Sequence, residues 1–267
     1  MTQTIGFIGS GMIGSALARL AVNAGYNVVL SNARDPETLA ELVEELGSRA
    51  RAASIVEAAE AGDLVVATIP MSAYESLPAE ALKGKIVIET MNYYPSRDGQ
   101  IPDIDAAKLT TSEMIQQHLK ESKVVKALHN LDFHHLFTNA RPSGDANRTT
   151  LPIAGDDAEA KEKVREFMDA IGYDSIDAGS LSESWRIEPG TPIYVSPYVP
   201  KIPEDLGEEE AKRFYLETPG APVSPEQAKE LVGQAVRTLP VGGFTDTLPP
   251  QHIALVTEIM NKRRADK

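Results

Sequence analysis

The chain has 267 residues, 42% of them hydrophobic and 24% charged, the balance of a soluble globular protein long enough to bury a substantial core. Its net charge of −13, from 26 basic and 39 acidic residues, argues against nucleic acid or an anionic membrane as a partner. Cysteine is absent, which excludes disulfides, thiolate metal ligands and a cysteine nucleophile together, and no apolar run approaches the roughly 18 residues of a bilayer span.

The first predicted strand, Thr4–Ile8, runs straight into Gly9-Ser10-Gly11-Met12-Ile13-Gly14. An Ala- and Leu-rich helix follows, from about Met12 to Ala24. Glycine pairs recur in ordinary turns, but a strand before and a helix after is the setting a G-x-G-x-x-G dinucleotide loop requires. Gly9 permits the tight turn, Gly11 lets the backbone approach a pyrophosphate, and Gly14 lets the helix pack on the strand. The free N–H groups at the helix start offer an anion site, which makes Gly9, Ser10, Gly11, Met12 and Ile13 the first candidate cofactor contacts. Because the N-terminal stretch reads as a strand rather than a secretory leader, a cytoplasmic enzyme is expected.

The second predicted strand, Asn27–Leu30, ends at Ser31-Asn32-Ala33-Arg34. An NAD site usually places a carboxylate here, about 20 residues past the glycines, to accept from the ribose 2′-OH. Two polar side chains and a guanidinium suit a 2′-phosphate instead, so Ser31, Asn32 and Arg34 point to NADP(H). Asp35 is expected to turn away as the cap of a helix starting at Pro36.

Strands and helices then alternate as a doubly wound, mostly parallel α/β sheet requires. Helices are predicted near 36–46, 55–61 and 112–120, with a further helix leading to about Ile171. Strands are predicted at 49–52, 63–68, 85–90, 124–128, 150–154 and 175–178. Beyond Glu188 the texture changes: 11 of the 18 prolines fall in residues 188–267, a density that opposes a continuing sheet. Helices remain plausible at about 207–216, 224–239 and 250–262. Residues 1–188 therefore read as a Rossmann domain, and 189–267 as a proline-rich, partly helical cap or dimerisation arm.

Ligands of an open α/β sheet bind outside the carboxyl ends of its strands. Ile69 and Pro70 should form an apolar wall beside a cofactor ribose, and Asn92 can meet a carboxamide or ribose through its two-sided amide. His129, just past a strand end, is the candidate catalytic proton donor, with packing or lining as its alternative role. The spacing of His129, His134 and His135 fits no zinc pattern, and no metal is expected. Otherwise the strand ends hold little proton machinery, which suits hydride transfer to an acceptor that manages its own proton.

The chain resembles the NADP oxidoreductases related to coenzyme F420-dependent NADP reductase. The resemblance lies in Gly6–Gly14, Ser31–Arg34, Asn92–Gly99, Val124–Ala127, Ala154–Lys161, Gly172-Tyr173 and Asp177–Leu181, and spans roughly residues 4–189. It implies a Rossmann domain, NADPH as cofactor, often a homodimer, and hydride passing between nicotinamide and a stacked deazaflavin. Lys126-Ala127-Leu128-His129 departs from the family's usual Lys-Ala-Phe-Asn on the wall facing the acceptor. A flavin, quinone or imine is therefore the alternative acceptor, and a non-catalytic NADPH-sensing protein the alternative function.

Overall fold

The computed structural model describes residues 2–243 and 250–265. Eight strands form one sheet in the order β3-β2-β1-β4-β5-β6-β7-β8. They are β1 (Thr4–Ile8), β2 (Asn27–Ser31), β3 (Ala50–Ala52), β4 (Leu64–Ala67), β5 (Ile86–Glu89), β6 (Lys123–Lys126), β7 (Thr150–Gly155) and β8 (Asp174–Asp177). Neighbours from β3 through β6 pair in parallel, β7 runs antiparallel to β6, and β8 is parallel to β7. The first six strands have the 3-2-1-4-5-6 order of a dinucleotide-binding sheet, so the carboxyl ends of β1 and β4 meet where the chain reverses direction across the sheet.

The central strands are buried along almost their whole length, as the apolar runs of β1, β2 and β4 require in a parallel sheet covered on both faces. Three of the flanking helices begin in capping boxes that the sequence spells out locally. They are α3 (Ile55–Ala61) with Ser54 and Glu57, α6 (Thr111–His118) with Thr110 and Glu113, and α10 (Pro225–Gly233) with Ser224 and Gln227. The remaining helices are α1 (Met12–Asn23), α2 (Ala40–Leu46), α4 (Pro95–Asp98), α5 (Pro102–Asp105), α7 (Phe133–Thr138), α8 (Ala158–Ala170), α9 (Glu208–Glu217) and α11 (Pro250–Ala265). Among the described residues, no helix is long and apolar enough to cross a membrane.

The structure corrects several sequence expectations. The helix predicted over 224–239 stops at Gly233. Beyond it Val236 and Leu239 are exposed, leaving little apolar surface for further turns to bury, and Leu239 precedes a proline, which disfavours helix. The strand predicted over 124–128 ends at Lys126, because Leu128 takes a left-handed conformation with φ of 58°. The short helices α4, α5 and α7 were not predicted. Past Glu188, Ile193, Tyr198, Val223, Ala228 and Val232 join the main apolar core, whereas Tyr194, Val195, Val199 and Tyr215 form a small cluster of their own.

Candidate active site

The glycine loop joins β1 to α1, and its geometry explains its composition. Gly9 has φ of +101°, and a Cβ there would lie 2.5 Å from the Thr68 carbonyl oxygen; the Thr68 hydroxyl donates to Gly9 O at 2.7 Å. A Cβ on Gly14 would stand 2.2 Å from Gly9 O, so only glycine lets α1 start this close to β1. At Gly11, by contrast, a Cβ would meet nothing within 4 Å. No side chain caps the first turn of α1 and no acidic residue occupies it, and the first intrahelical bond runs from Ser15 N to Gly11 O. The amides of Met12 and Ile13 therefore face open space at the positive end of the helix, as an anion cradle requires.

Two hydroxyls expected at the cofactor are spent on the scaffold. Ser10 Oγ donates to Ser31 O at 2.9 Å, and the buried Ser31 Oγ donates to Phe7 O at 2.7 Å. The first fastens β2 to the loop and the second fastens it to β1. Asn32 Nδ2 donates to Thr38 Oγ1, and its Oδ1 accepts from Arg34 N at 2.8 Å. Asp35 caps the turn over Pro36–Leu39 by accepting from Glu37 N at 3.0 Å, as the Asp-Pro pair predicts. Arg34 is exposed, and its guanidinium has no hydrogen-bond or ion-pair partner among the described residues. Ile69 is half-buried against the second apolar cluster, and Pro70 is exposed at the start of the turn over Met71–Ser76.

Past β5 and β6 the chain gathers a denser polar group. Asn92 Nδ2 donates to His129 O at 3.1 Å and to the Tyr194 hydroxyl at 3.3 Å. The His129 carbonyl can only accept, which fixes the amide's orientation and leaves Asn92 Oδ1 buried without a partner. Asn130, fully buried, donates to Ile187 O at 3.0 Å and leaves its own Oδ1 unpartnered. The Tyr94 and Tyr194 hydroxyls are hydrogen-bonded to one another, and the Arg97 guanidinium lies 5.0 Å over the Tyr94 ring. Leu128 and Val195, with φ of 58° and 53°, flank this group; left-handed backbone at a β-branched valine is held only where its surroundings force it.

His129 is 2% exposed, and its Nε2 sits 2.8 Å from Ile187 O, so Nε2 carries the proton of the neutral ring. Burial, reinforced by the nearby Lys126 charge, holds its pKa well below the ordinary histidine range. Beneath the site, Lys126 Nζ donates to Glu89 Oε1 at 3.0 Å, to Met91 O at 2.9 Å and to Thr111 Oγ1 at 3.3 Å, all fully buried. Burial pushes the Glu89 carboxyl up, against the pull of Lys126 and the Ser112 hydroxyl. The bond to Met91 O sets the backbone that presents Asn92 and Tyr94.

The histidine pair in the first turn of α7 has another job. Asp132 accepts from the His134 and His135 amides, from His135 Nδ1 at 2.7 Å and from the Tyr215 hydroxyl at 2.8 Å. Among the described residues, no cluster of three or more His, Asp or Glu could hold a metal. Burial alone would raise the Asp132 carboxyl, but the His135 hydrogen bond and the His135 and His252 rings hold it down at about 2. Since this folded value lies below the ordinary ~3.9, Asp132 stabilises the protein above that pH and ceases to as pH falls toward 2, by about 2 kcal/mol. Acid titration monitored by circular dichroism should show Asp132→Asn less stable at pH 7 and flatter in the acid limb. Parallel curves for the two proteins would contradict it.

Tyr194 is the residue that sequence reasoning missed. It lies 100 residues from Tyr94, in a segment whose spacing carries no motif, and the fold alone brings it to the strand ends. Ser10, Asn32, Arg34, Asn92 and His129 all lie at the carboxyl edge as expected; Ser31 does too, with its hydroxyl turned inward.

A family model described as NADP oxidoreductase coenzyme F420-dependent matches residues 4–93. The chain is similar to the F420-dependent NADP reductase of Methanocaldococcus jannaschii, 32% identical over 204 residues that cover 70% of this chain and 88% of that relative. It is also similar to metalloreductase STEAP3 of Rattus norvegicus, 29% identical over 186 residues; these cover 69% of this chain but only 35% of that protein, so the chain spans about a third of its length. A solved structure of a hypothetical protein from Sinorhizobium meliloti superposes with a TM-score of 0.63 at 25% identity, covering 73% of this chain and 93% of the other.

Proposed function

The chain belongs to the family of coenzyme F420-dependent NADP oxidoreductases, and from that premise we propose that it moves hydride between NADP(H) and a planar acceptor, coenzyme F420 first among the candidates. It is an NADP-dependent oxidoreductase, and what is left to argue is how its own residues hold the cofactor and which acceptor they suit. The observation that carries most weight is the uncapped start of α1 behind the open face of Gly11. The amides of Gly11, Met12 and Ile13 are the pyrophosphate donors, with Gly9 and Ser10 shaping the loop. A nicotinamide bound here supplies or takes up hydride at C4, and the protein's part is proximity and alignment.

Arg34, exposed beside Asn32 and without a partner among the described residues, is the 2′-phosphate ligand, while Ser31 acts through its bonds to the loop at Ser10 and to β1 at Phe7. Ile69 and Pro70 line the ribose, and Asn92 Oδ1 accepts from the carboxamide nitrogen, the donor that this buried oxygen lacks. His129, neutral and bonded to Ile187 O, enters as a wall of the site rather than as an imidazolium acid. Residues 1–188 serve as the cofactor-binding domain and 189–267 as a cap or dimerisation arm of a cytoplasmic homodimer.

Binding titrations test the cofactor assignment. Arg34→Ala should weaken NADPH by roughly 1.5–3 kcal/mol, the range for hydrogen bonds to charged groups, and leave NADH nearly unchanged. Equal losses for both cofactors would remove Arg34 from the phosphate.

A further inference from the structure

We propose that Tyr94 is the proton donor of this site, with Tyr194 orienting it, and that the acceptor is consequently one that gains a proton on nitrogen or oxygen together with the hydride. The proposal rests on the NADP-dependent reading above and narrows its acceptor. It excludes hydride uptake by an acceptor that needs no protein proton.

The direction of the hydrogen bonds carries the inference. Asn92 Nδ2 is a donor only, so the Tyr194 oxygen accepts from it at 3.3 Å. The proton of Tyr194, 9% exposed, then has one acceptor within reach, the Tyr94 oxygen. That leaves the Tyr94 proton without a protein acceptor among the described residues, on the more exposed member of the pair. A chain running from amide to buried tyrosine to half-buried tyrosine thus ends, among the described residues, in an O–H with no acceptor at the carboxyl edge of β5. Backbone strain at Val195 supports the same arrangement. Its amide is tied to Asn130 O at 2.8 Å, which fixes Tyr194 against Asn92 at the cost of a left-handed φ.

The electrostatics fit a donor. Burial raises the Tyr94 phenol above its ordinary range, so it is protonated at neutral pH, while the Tyr194 hydroxyl and the Arg97 guanidinium favour the phenolate formed when it gives up that proton. In the step, the C4–H bond of the dihydronicotinamide breaks and its electron pair forms a C–H bond on the acceptor. The acceptor's C=N or C=O double bond opens, either at that carbon or at the far end of a conjugated system whose double bonds shift, and the Tyr94 O–H proton passes to that nitrogen or oxygen. NADP⁺ and a tyrosinate remain, and water returns the proton.

Two measurements test this with Tyr94→Phe, which removes one oxygen and leaves the ring packing. With NADPH and a panel of oxidised deazaflavin, flavin, quinone and cyclic imine, kcat on each acceptor that the wild-type chain reduces should fall about 100-fold or more. The Kd for NADPH should stay within twofold. Calorimetry with NADP⁺ and a five-membered lactam, the unreactive analogue of a cyclic imine, should show lactam binding about 10-fold weaker, the loss of one hydrogen bond to its carbonyl. Wild-type turnover undiminished in Tyr94→Phe, or unchanged lactam binding, overturns the proton donor and leaves the oxidoreductase reading standing. No turnover by the wild-type chain on any acceptor overturns both.

Discussion

Gly11→Ala is expected to leave the thermal transition where it is and to weaken NADPH about 10-fold or more, whereas Gly14→Ala should lose both stability and binding. The contrast follows from the surroundings of the two positions. A Cβ on Gly11 meets nothing in the protein, so its only cost is to whatever occupies the space in front of the helix. A Cβ on Gly14 lies 2.2 Å from a backbone oxygen that cannot move without dragging the Gly9 turn and Thr68. Overpacking of that kind costs about 1–3 kcal/mol. Spread over the loop proposed to hold the pyrophosphate, it corresponds to roughly 10- to 100-fold in Kd. Differential scanning calorimetry and NADPH titration of both variants separate the two effects. Wild-type affinity in Gly11→Ala would remove the pyrophosphate from this loop.

Lys126→Met should be the most destabilising single change near the site, by about 3–5 kcal/mol. It leaves Glu89 buried with no cationic partner, and an uncompensated interior charge costs more than the pair ever contributed. The double variant Lys126→Met with Glu89→Gln should recover much of the loss, because no charge is then stranded. Denaturant unfolding of the two variants measures the difference. The bond from Lys126 Nζ to Met91 O adds a functional consequence: kcat should stay depressed even where stability recovers, since Asn92 and Tyr94 lose the anchor of their loop. Equal stability of the single and double variants would mean that Glu89 is satisfied by Ser112 and the Met91 amide alone.

The parts of this protein legible in the sequence are those whose causes are local. Strand, glycine turn and helix at 4–23 depend on neighbours within a few residues, and so does the Asp35 cap on Pro36. The capping boxes at Ser54, Thr110 and Ser224 are of the same kind. Ser31 shows the limit of that reasoning. Its position at the end of β2 was readable, but the direction of its hydroxyl depends on Phe7 O in the neighbouring strand. The end of β6 was misread because Ala127 and Leu128 continue the apolar character of Val124 and Val125, and nothing in composition announces that Leu128 turns left-handed. The tyrosine pair lay furthest from reach. Tyr94 stood at a strand end where a ligand was expected, yet its partner arrives from the proline-rich extension, placed by the Asn130 carbonyl and the packing of Ile193 and Tyr198 into the main core. The proposed acceptor side of the site is therefore built largely from long-range contacts, and the proposed cofactor side from two local runs, Thr4–Gly14 and Ser31–Arg34.

That division makes the transfer of hydride the claim to test first. NADPH carrying deuterium on one face of C4, and then on the other, should be mixed with the wild-type chain and the deazaflavin or imine acceptor, on which hydride lands on carbon, and the reduced acceptor analysed by mass spectrometry. One deuterium retained on carbon, with stereospecific loss from one face of the nicotinamide, is the result expected of a site that aligns the two rings. Reduced acceptor without the label, or NADPH bound tightly and never oxidised, would contradict it.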